Sequence, residues 1–400
     1  MSLESSELPL TAREQELVVS AARFAAAFIE PHAATWERER QSIPRDIFRQ
    51  YAAHGFSGLQ VPVELGGQGV TFLCKVRVAE VMARACFAAT FALNNSQATA
   101  ARLARDGTED QKRRYLGRLV SGELVSAPAL TEPGAGSDAT AMKTRATKVP
   151  GGWRIDGQKA WITNAAHADL LVLYAQTQEG AGAKGIASFF VDLHAKGVTR
   201  SAYALMGGAA IGAAELTFAE VFVPDADVIA TPGTAFKSAM TGITAARTHV
   251  AAMANGIVEE CLARAVDYAG QRTAFGTTLL GHQGIRWSLA DVATELSASK
   301  LLTYQAARQI ARGEDAIFAA SQAKSFAAQM ALRGVAACQQ AMGAVGLKDE
   351  LPFSRHLMAA RIAGYVDGTT EIQRDRIGQL LPRHHGIQRD GIQRDGGRAA

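Results

Sequence analysis

Four short stretches of this 400-residue chain carry residue types whose spacing could do chemistry. In Ala129-Leu-Thr-Glu-Pro-Gly-Ala-Gly-Ser-Asp138 the glycines let backbone N–H groups approach an anion or a polar ring, and Thr131 and Ser137 add hydroxyls. An ordinary tight turn ahead of a β domain explains that composition equally well. In Lys159-Ala-Trp-Ile-Thr-Asn164 a strand would put Trp161 and Thr163 on one face. An indole beside a hydroxyl can pack on a flat aromatic cofactor and bond its edge; a core Trp with an exposed Thr is the plainer reading. Gln271-Arg-Thr-Ala-Phe-Gly276, followed by His282-Gln283, reads alone as a helix end stopped by Gly276. In Tyr365-Val-Asp-Gly-Thr-Thr-Glu-Ile-Gln-Arg374 a carboxylate, Asp367, precedes a Gly-Thr turn, where it is either held at a domain seam or caps a helix.

Other chemistries have no signature here. There is no Walker A loop, no GxGxxG between a strand and a helix, no HExxH and no GxSxG. His384 and His385 are the only adjacent histidines, and without further ligands at fixed geometry they are no metal site. With 42 basic and 38 acidic residues the net charge is +4, too balanced to argue for nucleic acid. Hydrophobic residues at 48% and charged residues at 20% exclude general disorder. No run approaches the roughly 20 apolar residues of a membrane span. Met1 to Leu10 holds Glu4 and Glu7 but no basic side chain, unlike a secretory signal. The four cysteines lack a CxxC pair and read as small core residues in a reducing compartment. A cytoplasmic location is the expectation.

Three textures position these motifs. Residues 1–124 read as a helical domain, with capping boxes at Thr11–Glu14 and Thr108–Gln111. Residues 125–232 read as a β domain. A hairpin turning at Asp156-Gly157 is expected there, with further strands over 168–176, 186–192 and 215–223. Residues 233–383 read as a bundle of long helices, with Ile257, Cys261, Ala265 and Tyr268 on one apolar face and Leu289, Val292 and Leu296 on another. Residues 384–400, where Ile-Gln-Arg-Asp recurs in tandem, read as a disordered extension.

Taken in order and spacing over about residues 10 to 383, the four motifs resemble those of the acyl-CoA dehydrogenase family of flavoproteins. The resemblance implies a mainly α fold: an N-terminal helical domain, a middle β-barrel or sandwich domain and a C-terminal four-helix bundle. It implies noncovalent FAD, held by Leu130, Thr131, Gly136, Ser137, Trp161, Ile162, Thr163, Thr369 and Glu371. Arg272, Phe275, Gln283, Gln340 and Gly343 match residues that hold FAD in the family, with Arg272, Phe275, Gln340 and Gly343 reaching it across a subunit interface, so a homodimer or homotetramer is implied. Ser137, Arg247 and Gly368 match substrate-side positions. The implied reaction removes the α-proton of an acyl thioester with a carboxylate, here Asp367, and passes a β-hydride to flavin N5. The product is the 2,3-enoyl thioester, and an electron-transferring flavoprotein is the implied acceptor.

Departures from the family pattern bear on the chemistry. Most members have Glu where this chain has Asp367, and Asp is shorter by one methylene, roughly 1.5 Å of reach. Members that carry the Glu on an earlier helix match at Thr244-Ala-Ala-Arg247, where this chain has Ala245 and Ala246. Asp367 is thus the one candidate for the usual base. The family's exceptions with Asp at this position, dehydrogenases of cyclohexane-type carboxyl-CoA thioesters and nitroalkane oxidases, resemble this pattern, so cyclic or branched thioesters and a changed chemistry both stand as expectations. A non-catalytic FAD-binding subunit is the third. The family's Arg-Asp-Ala stretch before the base is here Met358-Ala-Ala-Arg361, without the charged pair that braces the bundle.

Overall fold

Thr11 opens the first helix as a capping box. Its hydroxyl accepts from the Glu14 N–H at 3.2 Å while the Glu14 carboxylate accepts from the Thr11 N–H at 3.0 Å. Glu14 also accepts from the Thr71 N–H and hydroxyl, at 2.8 and 2.6 Å, so one side chain caps two helix starts. The computed structural model describes residues 9–384. The extension expected over 384–400 lies outside them, except His384, which ends the last helix.

The first segment holds α1 (Ala12–Phe24), a π turn (Ala25–Ile29), α2 (Glu30–Arg38), α3 (Arg45–Ala53), α4 (Phe72–Ala83) and α5 (Phe87–Asp106). The second capping box, Thr108–Gln111, starts α6 (Glu109–Gln111), and α7 (Gly117–Val120) follows. The middle segment is one mixed sheet of β1 (Ser126–Ala129), β2 (Arg145–Val149), β3 (Gly152–Ile162), β4 (Leu170–Gln176), β5 (Ile186–Asp192), β6 (Val198–Ala202), β7 (Ala214–Pro224) and β8 (Val228–Ala230). Its order is β6-β7-β3-β2-β4-β5-β8, with β1 parallel to β4.

The hairpin expected at Asp156-Gly157 is not there. β3 runs straight through both residues, and the tight turn lies between Val149 and Gly152, which pair across β2 and β3. Asp156-Gly157 instead makes a bulge against β7. Gly157 has φ +141°, and a Cβ there would meet the Thr144 Cα at 2.6 Å. A glycine inside a strand pattern marks a bulge or a close approach as well as a turn.

The last segment comprises α8 (Ala235–Gln271), a ribbon of β9 (Thr273–Ala274) and β10 (Thr277–Thr278), α9 (Gln283–Ala311), α10 (Ile317–Ala341), α11 (Phe353–Tyr365) and α12 (Thr370–His384). Ala320, Ala323, Ala327, Ala331 and Gly334 of α10 are buried, and Gly334 lies against Val258, so α8 and α10 pack closely. The faces named from the sequence are the buried ones, except that Tyr268 is only partly covered. All four cysteines are free and buried. Among the described residues no helix is long and apolar enough to cross a membrane.

Two buried histidines, His249 and His356, and the half-buried His167 make the fold acid-sensitive. Burial pulls His167 down to about 4 and His356 to about 3 from 6.5, and holds His249 well below 6.5. The unfolded chain binds these protons near pH 6.5 and the folded chain only much lower. The stability they contribute is therefore complete above about pH 6.5 and is lost as pH falls toward about 4. Neither ring nitrogen of His249 has a hydrogen-bond partner. His249→Leu is expected to leave the melting temperature at about pH 7.5 equal or higher, because an unpaired buried polar ring is replaced by an apolar side chain. It should also make the fall in melting temperature toward about pH 5 shallower; an unchanged slope in calorimetry would refute the assignment.

Candidate active site

Asp367 sits in a left-handed turn between α11 and α12, with φ +54°, followed by Gly368 at φ +92°. Such a backbone is costly for a non-glycine residue and persists only where the surroundings over-determine it. Here they do so through the carbonyls. The Asp367 carbonyl accepts from Arg247 Nε at 3.1 Å and Gln373 Nε2 at 3.3 Å. The Gly368 carbonyl accepts from Lys324 Nζ at 2.5 Å and Gln373 Nε2 at 3.1 Å. The Asp367 N–H makes no hydrogen bond with a described residue. The turn is thus held from its acceptor side, with one donor left free. Helix capping falls to Thr369, whose hydroxyl accepts from the Ile372 N–H at 3.3 Å, and not to Asp367.

The electrostatics follow from the same contacts. Burial pushes the Asp367 carboxyl above its ordinary 3.8, against the opposing pull of the Lys324 and Arg247 cations. Arg247 is 4% exposed, and burial brings it down to about 10, helped by Arg376. Lys324 is fully buried and comes down to about 8 for the same first reason. The site therefore presents a carboxyl of raised basicity beside two cations that favour its ionised form. Ahead of it, Gly207 packs against Met358, and a Cβ on Gly208 would meet Ile362 at 2.5 Å. Packing of the 206–208 loop on α11 stands where the Met358-Ala-Ala-Arg361 stretch lacks a charged brace.

The loop 130–138 is set from beneath. The fully buried Lys159 of β3 donates to the Leu130 carbonyl at 2.9 Å and to Glu132 Oε1 at 2.8 Å. Glu132 also accepts from the Lys143 and Thr144 N–H groups at 2.6 and 2.9 Å. Burial lowers Lys159 to about 8, while the ammonium and these hydrogen bonds outweigh burial and hold Glu132 below 4.5. The pair is charged at neutral pH and knits three chain segments together. Above it Leu130 and Thr131 are half-buried, Gly136 and Ser137 are exposed, and no atom lies near where a Cβ on Gly134 would stand.

Trp161 and Thr163 do not simply alternate along a strand. Trp161 has φ +60°, the pairing with β7 slips between Lys159 and Ile162, and β3 ends at Ile162. As a result the indole is 61% exposed while Ile162 and Thr163 are buried. One indole face stacks on Tyr203, with centroids 4.4 Å apart and planes 20° from parallel. Asn164, also left-handed, donates to the carbonyls of Ala92 and Ser126 at 2.9 and 3.1 Å, which pins the end of β3 to α5 and β1.

These sites lie on a chain whose relatives are unambiguous. Models of the N-terminal, middle and C-terminal domains of acyl-CoA dehydrogenases match residues 11–123, 127–221 and 233–381. The chain belongs to the acyl-CoA dehydrogenase family. It is 33% identical over 361 residues to the rat (Rattus norvegicus) mitochondrial short/branched chain specific acyl-CoA dehydrogenase, covering 90% of this chain and 83% of that one. It is 34% identical over 381 residues to the human short-chain specific enzyme, covering 94% and 92%. The structure of butyryl-CoA dehydrogenase from Megasphaera elsdenii superposes with a TM-score of 0.90 at 30% identity, covering 94% of this chain and 99% of that one. The family's members are flavin oxidoreductases, and its fold of helical, β and helical domains is the one described above.

Within this family member the predicted residues fall into three groups. Asp367, Gly368 and Arg247 meet in one turn, and Thr369 and the exposed Glu371 begin the helix that follows. Leu130, Thr131, Gly136, Ser137, Trp161, Ile162 and Thr163 share the β1–β3 end of the sheet, where the Ala160 N–H donates to the Thr131 carbonyl at 3.0 Å. Arg272, Phe275, Gln283, Gln340 and Gly343 are exposed, Phe275 at 98%, and among the described residues no hydrogen bond, ion pair or ring contact joins them to loop 130–138. Gly276 does not stop a helix. α8 ends at Gln271, and Phe275-Gly276, with φ of +52° and +80°, turn the β9–β10 ribbon. Arg374 donates to Gln329 at 2.7 Å, a structural role.

Sequence reasoning missed Lys324, Gln373, Lys159, Glu132 and Tyr203. Three of these lie inside the quoted motifs, where the eye goes to the residues facing the ligand. Lys324 had its own signal, a solitary charge in the otherwise uncharged helical run Ile317–Ala331.

Proposed function

We propose that this flavoenzyme dehydrogenates an acyl-CoA thioester between the α and β carbons, with Asp367 as the base. FAD is the cofactor. The single observation that carries the reading is the Asp367 turn: a carboxylate of raised basicity beside a free backbone N–H, with the carbonyls tied away from both. In this reading the Asp367 N–H binds the thioester oxygen, so charge that develops on it meets a fixed donor. The Asp367 carboxylate takes the α-proton.

The residues present fit FAD. An exposed indole with one face free, the hydroxyls of Thr131 and Ser137 and the open glycines of loop 130–138 offer a ring surface, edge donors and room for close approach. When bound, FAD would supply a two-electron acceptor for the hydride that leaves the β carbon. Leu130, Thr131, Gly136, Ser137, Trp161, Ile162, Thr163, Thr369 and Glu371 would hold it within a protomer. The exposed Arg272, Phe275, Gln283, Gln340 and Gly343 support completion of the site by a second copy, in a homodimer or homotetramer. An electron-transferring flavoprotein is the proposed acceptor. The likeness to the short/branched chain enzyme supports a short or branched acyl group.

The test is anaerobic. Straight, branched and cyclic acyl-CoA thioesters are added to the yellow protein, and the visible flavin band is followed. Bleaching by one class is the expected result and ranks the acyl group. No bleaching by any thioester overturns the reading in favour of another flavin chemistry, such as nitroalkane oxidation, or of a non-catalytic FAD-binding subunit.

A further inference from the structure

Lys324 lies on α10, away from every motif, yet its ammonium ends at the Asp367 turn. It donates to the Gly364 carbonyl at 3.3 Å and to the Gly368 carbonyl at 2.5 Å. Gly364 belongs to the last turn of α11, whose end carbonyls have no partner within the helix. Gly368 is the residue after Asp367. One buried side chain thus bridges the backbone just before and just after the carboxylate. Gln373 also binds the carbonyls of Asp367 and Gly368, and Arg247 binds that of Asp367, but among these three Lys324 alone reaches back to α11.

The charges around this turn come from three elements. Arg247 faces it from α8 and Lys324 from α10, and both favour the ionised Asp367. From α12, Glu371 acts on Lys324 and Arg376 acts on Arg247. Among the described residues no carboxylate is hydrogen-bonded to Lys324; its two bonds go to the Gly364 and Gly368 carbonyls, so its charge is directed to the turn.

We propose that Lys324 is a positioning residue that clamps both ends of the turn aiming Asp367 and acts as one of two cations on its carboxylate. The proposal rests on the reading of Asp367 as the base. Removing the ammonium would free the Gly364 carbonyl, loosen the left-handed turn and withdraw one of two cations from the carboxylate. A base displaced by ~1 Å loses on the order of 100-fold in rate. A carboxylate that loses a nearby cation is protonated to higher pH, by about 1 unit.

The experiment follows anaerobic flavin bleaching against pH in the full-length, FAD-loaded protein, with the thioester that bleaches the wild type. Wild type, Lys324→Met, Lys324→Gln and Asp367→Asn are compared, and FAD content is measured for each. Lys324→Met is expected to bleach ~100-fold more slowly with FAD content unchanged, and the acid limb of its pH profile is expected to move up by about 1 unit. Lys324→Gln, which keeps a neutral donor, should recover part of the rate but not the position of the limb. A slow Lys324→Met with an unmoved limb would mark a purely structural lysine and overturn the proposal. So would a wild-type rate and limb in that variant while Asp367→Asn is inactive. Where Lys324→Met does not fold, the limb of Lys324→Gln decides. Activity in Asp367→Asn, or no bleaching of the wild type by any thioester, would instead overturn the underlying reading.

Discussion

Asp367→Asn should lose bleaching by acyl-CoA by ~100- to 10,000-fold, the span of a positioned general base, while its FAD content stays that of the wild type. The reasons are separable in the structure. The amide keeps the size of the carboxylate and leaves the Asp367 and Gly368 carbonyls in the grip of Arg247, Gln373 and Lys324, so the turn survives. It removes the carboxylate that would take the proton, and Ala245 and Ala246 on α8 provide no second one. Among the described residues no hydrogen bond or ion pair joins the Asp367 side chain to the groups that fit FAD. Stopped-flow spectroscopy on the anaerobic protein gives the rate, and the visible spectrum gives the FAD content. A bleaching rate within a few-fold of wild type would remove Asp367 from the mechanism.

Lys159→Met is expected to yield a colourless protein. Lys159 is fully buried and holds Glu132 and the Leu130 carbonyl. Taking away one partner of a buried pair leaves the other charge without compensation, at a cost of about 3–5 kcal/mol. Glu132 still accepts from the Lys143 and Thr144 N–H groups, so the loss falls on the link between loop 130–138 and β3. The loop that offers Thr131 and Ser137 would then lack a fixed position over Trp161. The measurements are the flavin absorbance of the purified protein and its FAD affinity by titration. Replacing both partners, Lys159→Met with Glu132→Gln, should restore part of the stability, because the stranded charge is gone. Full FAD content in Lys159→Met would show that the pair serves the sheet alone.

Much of this protein was legible because it is written in local patterns. The capping boxes at Thr11 and Thr108 require only residues three apart, and both form. The strand over 186–192 and the long helices after Gly233 follow from period and from the lack of proline. The four motifs are contiguous, so the family was readable from them. Local pattern misled where one residue type serves two geometries. Asp156-Gly157 has turn composition but makes a bulge, because the close approach of Thr144 demands a glycine inside the strand. Phe275-Gly276 has the composition of a helix stop but turns a ribbon beyond a helix that has already ended.

By itself, then, the sequence determined the order of helical, β and helical segments, the motifs proposed to meet a flavin and the carboxylate proposed as the base. Those depend on neighbours within a few residues. The tertiary structure alone decided what holds that carboxylate and what holds the loop. Lys324, Arg247 and Asp367 are separated by 43 or more positions in every pairing, and Lys159 stands 27 residues from Glu132. The energy of a buried ammonium beside a carbonyl or a carboxylate depends on distance and on the exclusion of water, and both come from the packing of remote elements.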